Sequence, residues 1–365
     1  MKRFLKWIPI ALLAATYNSY GQADQPQAAD TEPKVVGACC SGNCCDGSFT
    51  PLGVMTDHIH AKGEWMASYT YMDMTMRGNR TGTSRTSDSV LYAKGYMMAP
   101  ASMTMHMHMA MLMYGLTDRL TLMAMGGYTS YNMSMNMQFA MIMPGMKDPA
   151  ASMTTTSSGV SDTRVSALYN FSKSSTSRLI GSLGISLPTG SYKVKGVTML
   201  GTNERLPYDM QPGTGSFALQ PDVTFAKQAG KMAWGVNAGA DIKLNKNDLK
   251  YRQGNSYHAT AWVAYKVLPF ASLSLRGEGV WVDKISGADS VIANPVYEQF
   301  DPTTSTSHYG GTWGNAYAGL NFHWNKPVIK NFQAQIEYGI PFYENLNGPQ
   351  MSVHSTLLAG LSYRF

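Results

Sequence analysis

Between Gly63 and Phe365 the chain alternates polar and apolar residues with a period of two in twelve segments, and the connections between them alternate in length. Short joints fall at Leu116 to Asp118, Ser172 to Thr176, Gln228 to Gly230, Leu268 to Pro269 and Asn325 to Asn331. Longer polar connections lie between them at Arg77 to Ser102, Gln138 to Gly159, Thr189 to Thr214, Asn245 to Asn255, Ile285 to Gly310 and Glu344 to Pro349. A period of two turns successive side chains to opposite faces of a strand. Short turns on one side and long loops on the other, in strict rotation, belong to an up-and-down barrel that spans the outer membrane.

Composition removes the alternatives. Charged residues make up 14% of the chain, against about 25% in an ordinary soluble domain. The chain starts Met1-Lys2-Arg3 and runs apolar from Trp7 to Ala15, which reads as a secretory signal peptide over residues 1–23 and is too short to cross a bilayer. Beyond it no apolar run approaches the roughly 20 residues that a membrane helix needs, and only a closed barrel otherwise satisfies its backbone in lipid. The expected organisation is a signal peptide, a flexible periplasmic tail at 24–62 that carries Cys and His, and an all-β transmembrane antiparallel barrel of about twelve strands at 63–365. The net charge of +6 is spread thinly, so nucleic acid is not expected as a partner. No catalytic motif occurs, so an enzyme is not expected.

The charge-free parity of each segment identifies its lipid face, because a charged side chain there costs about 2–4 kcal/mol at mid-membrane. In the last segment Val353, Ser355, Leu357, Ala359, Leu361, Tyr363 and Phe365 form that face, and His354, Thr356, Ser362 and Arg364 point inward. The same split places Asp162, Arg164, Asp222, Asp241, Lys243, Arg276, Glu278, Glu337 and Arg364 on the lumen parity, along with His258 and His323. A soluble sandwich alternates too, but it needs neither the loop rotation nor the aromatic strand ends.

The terminal Leu361-Ser362-Tyr363-Arg364-Phe365 resembles the signal by which the assembly machinery recognises outer-membrane barrels. Stretches such as Tyr114 to Leu120, Gly184 to Gly190 and Leu206 to Gln211 are similar to outer-membrane transporters near the proteins of the meta pathway of phenol degradation. That resemblance covers roughly Gly63 to Phe365. It implies a passive path for aromatic or other apolar small molecules, with no binding residues to carry over.

Twenty-two of the 27 methionines lie between Met55 and Met153. On the first strand Trp65, Ala67, Tyr69 and Tyr71 take the lipid parity, leaving Met66, Met72, Met74 and Met76 inside. On the third, Leu120, Leu122, Ala124, Gly126 and Tyr128 leave Met123, Met125, Met133, Met135 and Met137 inside. The second strand carries Met103, Met105, Met107, Met109, Met111 and Met113 at every second residue, with His106 and His108 between them. Its orientation stays open, since Ala110, Leu112 and Tyr114 suit lipid but the histidines do not unless they rise above the apolar band. If these methionines also face inward, about fifteen thioethers share one sector. Thioether and imidazole suit Cu(I), whereas apolar filling is the other use of a flexible thioether.

The tail adds Cys39-Cys40-Ser41-Gly42-Asn43-Cys44-Cys45 and Asp57-His58-Ile59-His60. Outside the cytoplasm four cysteines are compatible with two disulfides, and a thiolate cluster is the alternative. The sequence therefore leads to an outer-membrane transporter or channel that handles Cu(I) or a similar soft ion, with an optional periplasmic metal carrier as partner. An apolar small-molecule path, and a barrel that binds a metal or partner without transport, are its competitors.

Overall fold

A computed structural model of the chain describes residues 50–138, 151–172, 174, 176–326 and 329–365. In chain order these form β1 (Trp65–Gly82), β2 (Ser84–Thr86), α1 (Asp88–Ala93), β3 (Met98–Thr117), β4 (Leu120–Met137), β5 (Ala151–Val160), β6 (Thr163–Asn170) and β7 (Ser177–Leu187). There follow β8 (Lys195–Thr198), β9 (Gly201–Arg205), β10 (Ala218–Ala229), β11 (Met232–Lys243), β12 (Ser256–Leu268), β13 (Ala271–Val282), α2 (Pro295–Phe300), β14 (Gly311–Lys326) and β15 (Ile329–Arg364). Among the described residues no helix is long and apolar enough to cross a membrane.

The ring runs β15-β14-β13-β12-β11-β10-β7-β6-β4-β3-β1 and closes by antiparallel pairing of β1 with β15. It contains eleven assigned strands, yet β15 makes two crossings. Straight, its 36 residues would span roughly 120 Å, about four times the hydrocarbon core. Register shows the turn: Leu346 faces both Gly311 at the top of β14 and Gly82 at the top of β1. Ile329 pairs with Lys326 and Arg364 with Met66 at the other end. The ten other strands and the two limbs of β15 make twelve crossings, as the alternation requires. Trp65 and Phe365 seal the seam by exchanging backbone hydrogen bonds of 2.9 Å.

One parity of the wall is bare and apolar, with Leu275 62%, Leu183 56% and Ile340 51% exposed. This is the surface that lipid covers. The rim at the short turns carries Trp65, Tyr169, Phe171, Trp234, Phe270, Tyr363 and Phe365, and the far rim carries Phe217, Tyr257, Trp281 and Phe342. Such aromatic girdles mark the two interfaces.

On the far side β1, β3 and β4 run to 18, 20 and 18 residues, beyond the 9–11 that a crossing needs, so they project outward. The long connections there fold over the mouth. Tyr208, Tyr251, Ile285 and Ile292 make a buried cluster among them, and Met97 donates to the Phe300 carbonyl at 3.0 Å.

Three local expectations change. Much of Gln138 to Gly159 is not a loop: Ala151–Val160 pairs with β4 over Tyr128 to Met137, above the membrane where neither face needs apolar residues. The connection expected from Arg77 to Ser102 contains helix α1 at Asp88–Ala93, with Leu91 buried. His354 is exposed, because register shifts between Thr75–Ser355 and Met76–Val353 and leaves it as the extra residue of a bulge. A bulge reverses which parity faces in.

Candidate functional site

The segment 50–62 lies inside the ring. The Thr50 carbonyl accepts from Gln335 Nε2 at 2.9 Å, and Thr56 Oγ1 donates to Asp222 Oδ1 at 2.5 Å and meets Thr224 Oγ1 at 3.0 Å. The His60 amide donates to Thr121 Oγ1 at 2.8 Å. Between these anchors Val54 packs with Ala226, Ala233, Trp262 and Ala264, and Ile59 packs with Met66, Met113, Met123, Leu168 and Ile180. The contacts reach strands all round the barrel, so the segment plugs the lumen near its short-turn, periplasmic end. Read from sequence as the end of a flexible tail, these thirteen residues are held. The earlier part of that tail, including Cys39, Cys40, Cys44 and Cys45, lies outside the described residues, as does the signal peptide.

Gly53 shows how closely the plug is fitted. A Cβ there would lie 2.3 Å from the guanidinium carbon of Arg276. That guanidinium is buried, bonded to Glu337 at 2.9 Å, 3.5 Å from Glu278 and 3.7 Å from the centroid of the Tyr317 ring. A buried charge persists only when paired in this way. On the neighbouring walls Lys243 and Asp241 pair at 2.7 Å, Gln220 donates to Asp241 at 2.6 Å, and Arg164 bonds Gln220. Asp222 is further held by Asn237 at 2.8 Å and His258 at 3.2 Å. Arg364 lies 3.6 Å from Glu64 at the rim. All nine charged residues expected in the lumen are thus placed there except Asp162. It sits at the break between β5 and β6, where it accepts from the Gly190 amide at 2.9 Å and from the Thr214 amide and hydroxyl at 3.0 and 2.6 Å. Asp162 therefore ties outer connections together, and the strand break is what diverts it.

The methionines of all three strands face inward. They meet as cross-strand partners: Met133 with Met103 and Met103 with Met76; Met105 with Met74; Met107 with Met72; Met125 with Met111; Met123 with Met113 and Met113 with Met66. Directly opposed side chains on one face have Cβ atoms about 4.5–5.5 Å apart, so the thioethers form a continuous wall. Its outer part, Met98, Met103, Met133 and Met135, packs under Leu206 and Met210 of the outer connections, with Met137 against it. His106 and His108 do not join this wall. At even positions they point outward, where Tyr71 and Asp73 bond His106 at 2.9 Å each and Tyr69 bonds His108 at 2.6 Å. With a tilted strand rising roughly 2.5 Å per residue, Asp73 stands roughly 20 Å above Trp65, near the top of the ~25 Å apolar band. That height lets the polar ladder face out, and it removes both histidines from any site shared with the methionines.

Above the plug is a cavity of about 640 Å³. Met72, Met74, Met76, Met103, Met105, Met107 and Met109 form one side, and Val280, Val282, Trp313 and Tyr317 line it with Arg276, Glu278 and Asn315. Gly53 and Met55 bound it toward the plug, and Asp209, Pro302, Thr303, His308 and Tyr309 bound it toward the outer connections. In that roof burial, with the charge of Asp301, pushes the Asp209 carboxyl up to about 7, and burial pushes Asp301 up to about 6. Neither the plug nor the roof carries a periodic signal, so sequence reasoning missed both. The Gly53-Val54 pair and the Leu206-Pro207-Tyr208 stretch are the only local hints.

A family model, the MetA-pathway of phenol degradation, matches residues 116–309, more than half of the chain. The chain belongs to that family. The match starts near the end of β3, so the plug, β1 and all of the β3 methionines lie before it. Among solved structures, an outer membrane channel from Pseudomonas putida F1 is similar over 85% of this chain and 98% of its own, with 16% identity and a TM-score of 0.56. The translocator domain of the autotransporter NalP from Neisseria meningitidis follows at 10% identity, 84% and 90% coverage and a TM-score of 0.43. The Pseudomonas putida toluene transporter TodX gives 8% identity, 84% and 90% coverage and 0.39. No curated protein matches. The fold is that of an outer-membrane barrel.

Proposed function

We propose that the protein is an outer-membrane channel, and not an enzyme, that takes aromatic or other apolar small molecules through its lumen. The observation that carries this reading is the 640 Å³ cavity. Its volume lies within the 300–1,000 Å³ of small-molecule sites, which are mostly apolar with a few placed polar groups. A single aromatic ring needs only about 150 Å³. Thioethers contact ring edges favourably and adjust to irregular shapes, which suits a wall that must let go of what it holds. Arg276, Glu278 and Asn315 supply polar contacts for a hydroxyl. The phenol-degradation description of the family points the same way. Lipid covers the outer face, and the assembly machinery engages Phe365.

Crystals soaked with a bromophenol test the site. Bromine scattering between Met105 and Tyr317 supports the reading. Bromine found only on the lipid face overturns it.

A second reading, the handling of Cu(I) or a similar soft ion, was the main expectation from sequence. The wide cavity suits it less, because its thioethers lie along one wall and the two wall histidines point away. A smaller cavity lower down is lined by an imidazole and thioethers together.

A further inference from the structure

Beside the plug, below the large cavity, is a second cavity of about 60 Å³. It is too small for an aromatic ring, which needs about 150 Å³, so the small-molecule reading does not account for it. His58 lines it together with Met55, Met66, Met109, Met111 and Met125. One imidazole and one thioether come from the plug, and the remaining thioethers come from β1, β3 and β4. Met111 and Met125 are direct cross-strand partners.

The imidazole is already oriented. His58 Nδ1 lies 2.6 Å from Asp57 Oδ1, and an ionised carboxylate only accepts, so Nδ1 is the donor in this bond and Nε2 is the ring nitrogen left to face a metal. Carboxylate-to-imidazole bonding of this kind fixes the tautomer of metal-bound histidines. Arg178, 3.9 Å from Asp57, balances the carboxylate, and the His60 ring stands edge-on to His58 with centroids 5.1 Å apart. Among the described residues no group of three or more His, Cys, Asp and Glu could hold a metal, which argues against a zinc or calcium site. A set of one imidazole and several thioethers selects a soft monovalent ion and needs no deprotonation to bind it.

We propose that His58 of the plug and the thioethers of Met66, Met111 and Met125 bind one Cu(I) ion, or Ag(I) in its place, and so clamp the plug to the methionine wall. The ion enters as a ligand and changes no bond or oxidation state. Because donors come from both plug and wall, bound metal holds the plug in the lumen.

The test uses the full chain with Cys39, Cys40, Cys44 and Cys45 replaced by Ser, so that only the barrel and plug contribute. Anaerobic competition with a Cu(I) chelator should give one ion per chain, and X-ray absorption should show one nitrogen among sulfur ligands. His58→Ala and the pair Met111→Leu, Met125→Leu should each weaken binding at least tenfold, while Met135→Leu on the upper wall leaves it unchanged. Heat-modifiable gel migration confirms that each variant is folded. No binding by the cysteine-free chain, or binding lost with Met135→Leu but kept with His58→Ala, overturns the site. Neither result bears on bromophenol in the upper cavity, so the two readings fail separately.

Discussion

Replacing Gly53 by Ala should open the channel. The added Cβ would lie 2.3 Å from the Arg276 guanidinium carbon, well inside contact distance, so either the guanidinium or the plug must move. The guanidinium is pinned by Glu337 at 2.9 Å and by the Tyr317 ring at 3.7 Å. Separating it from Glu337 leaves a buried carboxylate uncompensated, which costs about 3–5 kcal/mol. Between Thr50 and Val54, before the Thr56 anchor on Asp222, the plug is held to the wall by one hydrogen bond, from Gln335 to the Thr50 carbonyl, worth about 1 kcal/mol, and by burial of Val54, worth about 1.5–3 kcal/mol. The plug side is therefore the weaker one and should yield first. A loss of about 3 kcal/mol in docking raises the open fraction about a hundredfold. Single-channel recording in planar bilayers reads this as longer and more frequent openings. In an Arg276→Met, Glu337→Gln background the clash is gone, so Gly53→Ala should change nothing, and the double-mutant comparison isolates the contact. Unchanged gating of Gly53→Ala in the wild-type background would refute the seating of the plug on Arg276.

The roof should respond to pH. Asp209, raised to about 7 from 3.8 by burial, is protonated in the folded roof and ionised when the roof unfolds. Its stabilising contribution is thus full below about pH 4 and lost as pH rises to about 7, by on the order of 4 kcal/mol over those three units. Asp209→Asn should flatten that part of the stability profile measured by thermal melting. Asp162→Ala removes three acceptor contacts to Gly190 and Thr214 and should raise amide exchange in the outer connections while leaving the wall strands protected. Leu275→Arg, on the bare outer face at 62% exposure, should destabilise the folded barrel in bilayers by about 2–4 kcal/mol, read from urea titration.

The wall was legible from sequence because lipid enforces a rule on every second residue. Leu361, Tyr363 and Phe365 are exposed while Thr356 and Leu358 are buried, as the charge-free parity requires, and the inward methionines of β1 and β4 followed from it. The rule fails where its cause is absent. Above the membrane, Met153 to Ser158 carries no apolar alternation because no lipid faces it, so β5 read as a loop. His354 broke the count through a one-residue bulge, which leaves no signature in a single chain. The β3 methionines were undecided because His106 and His108 argued against the outer face. Only their bonds to Asp73, Tyr71 and Tyr69 make that face tolerable. The plug was invisible for another reason: thirteen residues with no period have hydrogen-bond partners on the wall strands 61 to 285 positions away, as for His60 with Thr121 and Thr50 with Gln335.

The claim that the lumen is an apolar path is tested most directly by uptake of a radiolabelled monoaromatic into Gram-negative cells that carry the protein in the outer membrane. Wild type should be compared with Met105→Asp, Met107→Asp, which puts two charges into the methionine wall. The account predicts faster uptake with wild type, more than tenfold lower uptake with the charged wall, and still faster uptake with Gly53→Ala. Equal uptake by cells with and without the protein would contradict it.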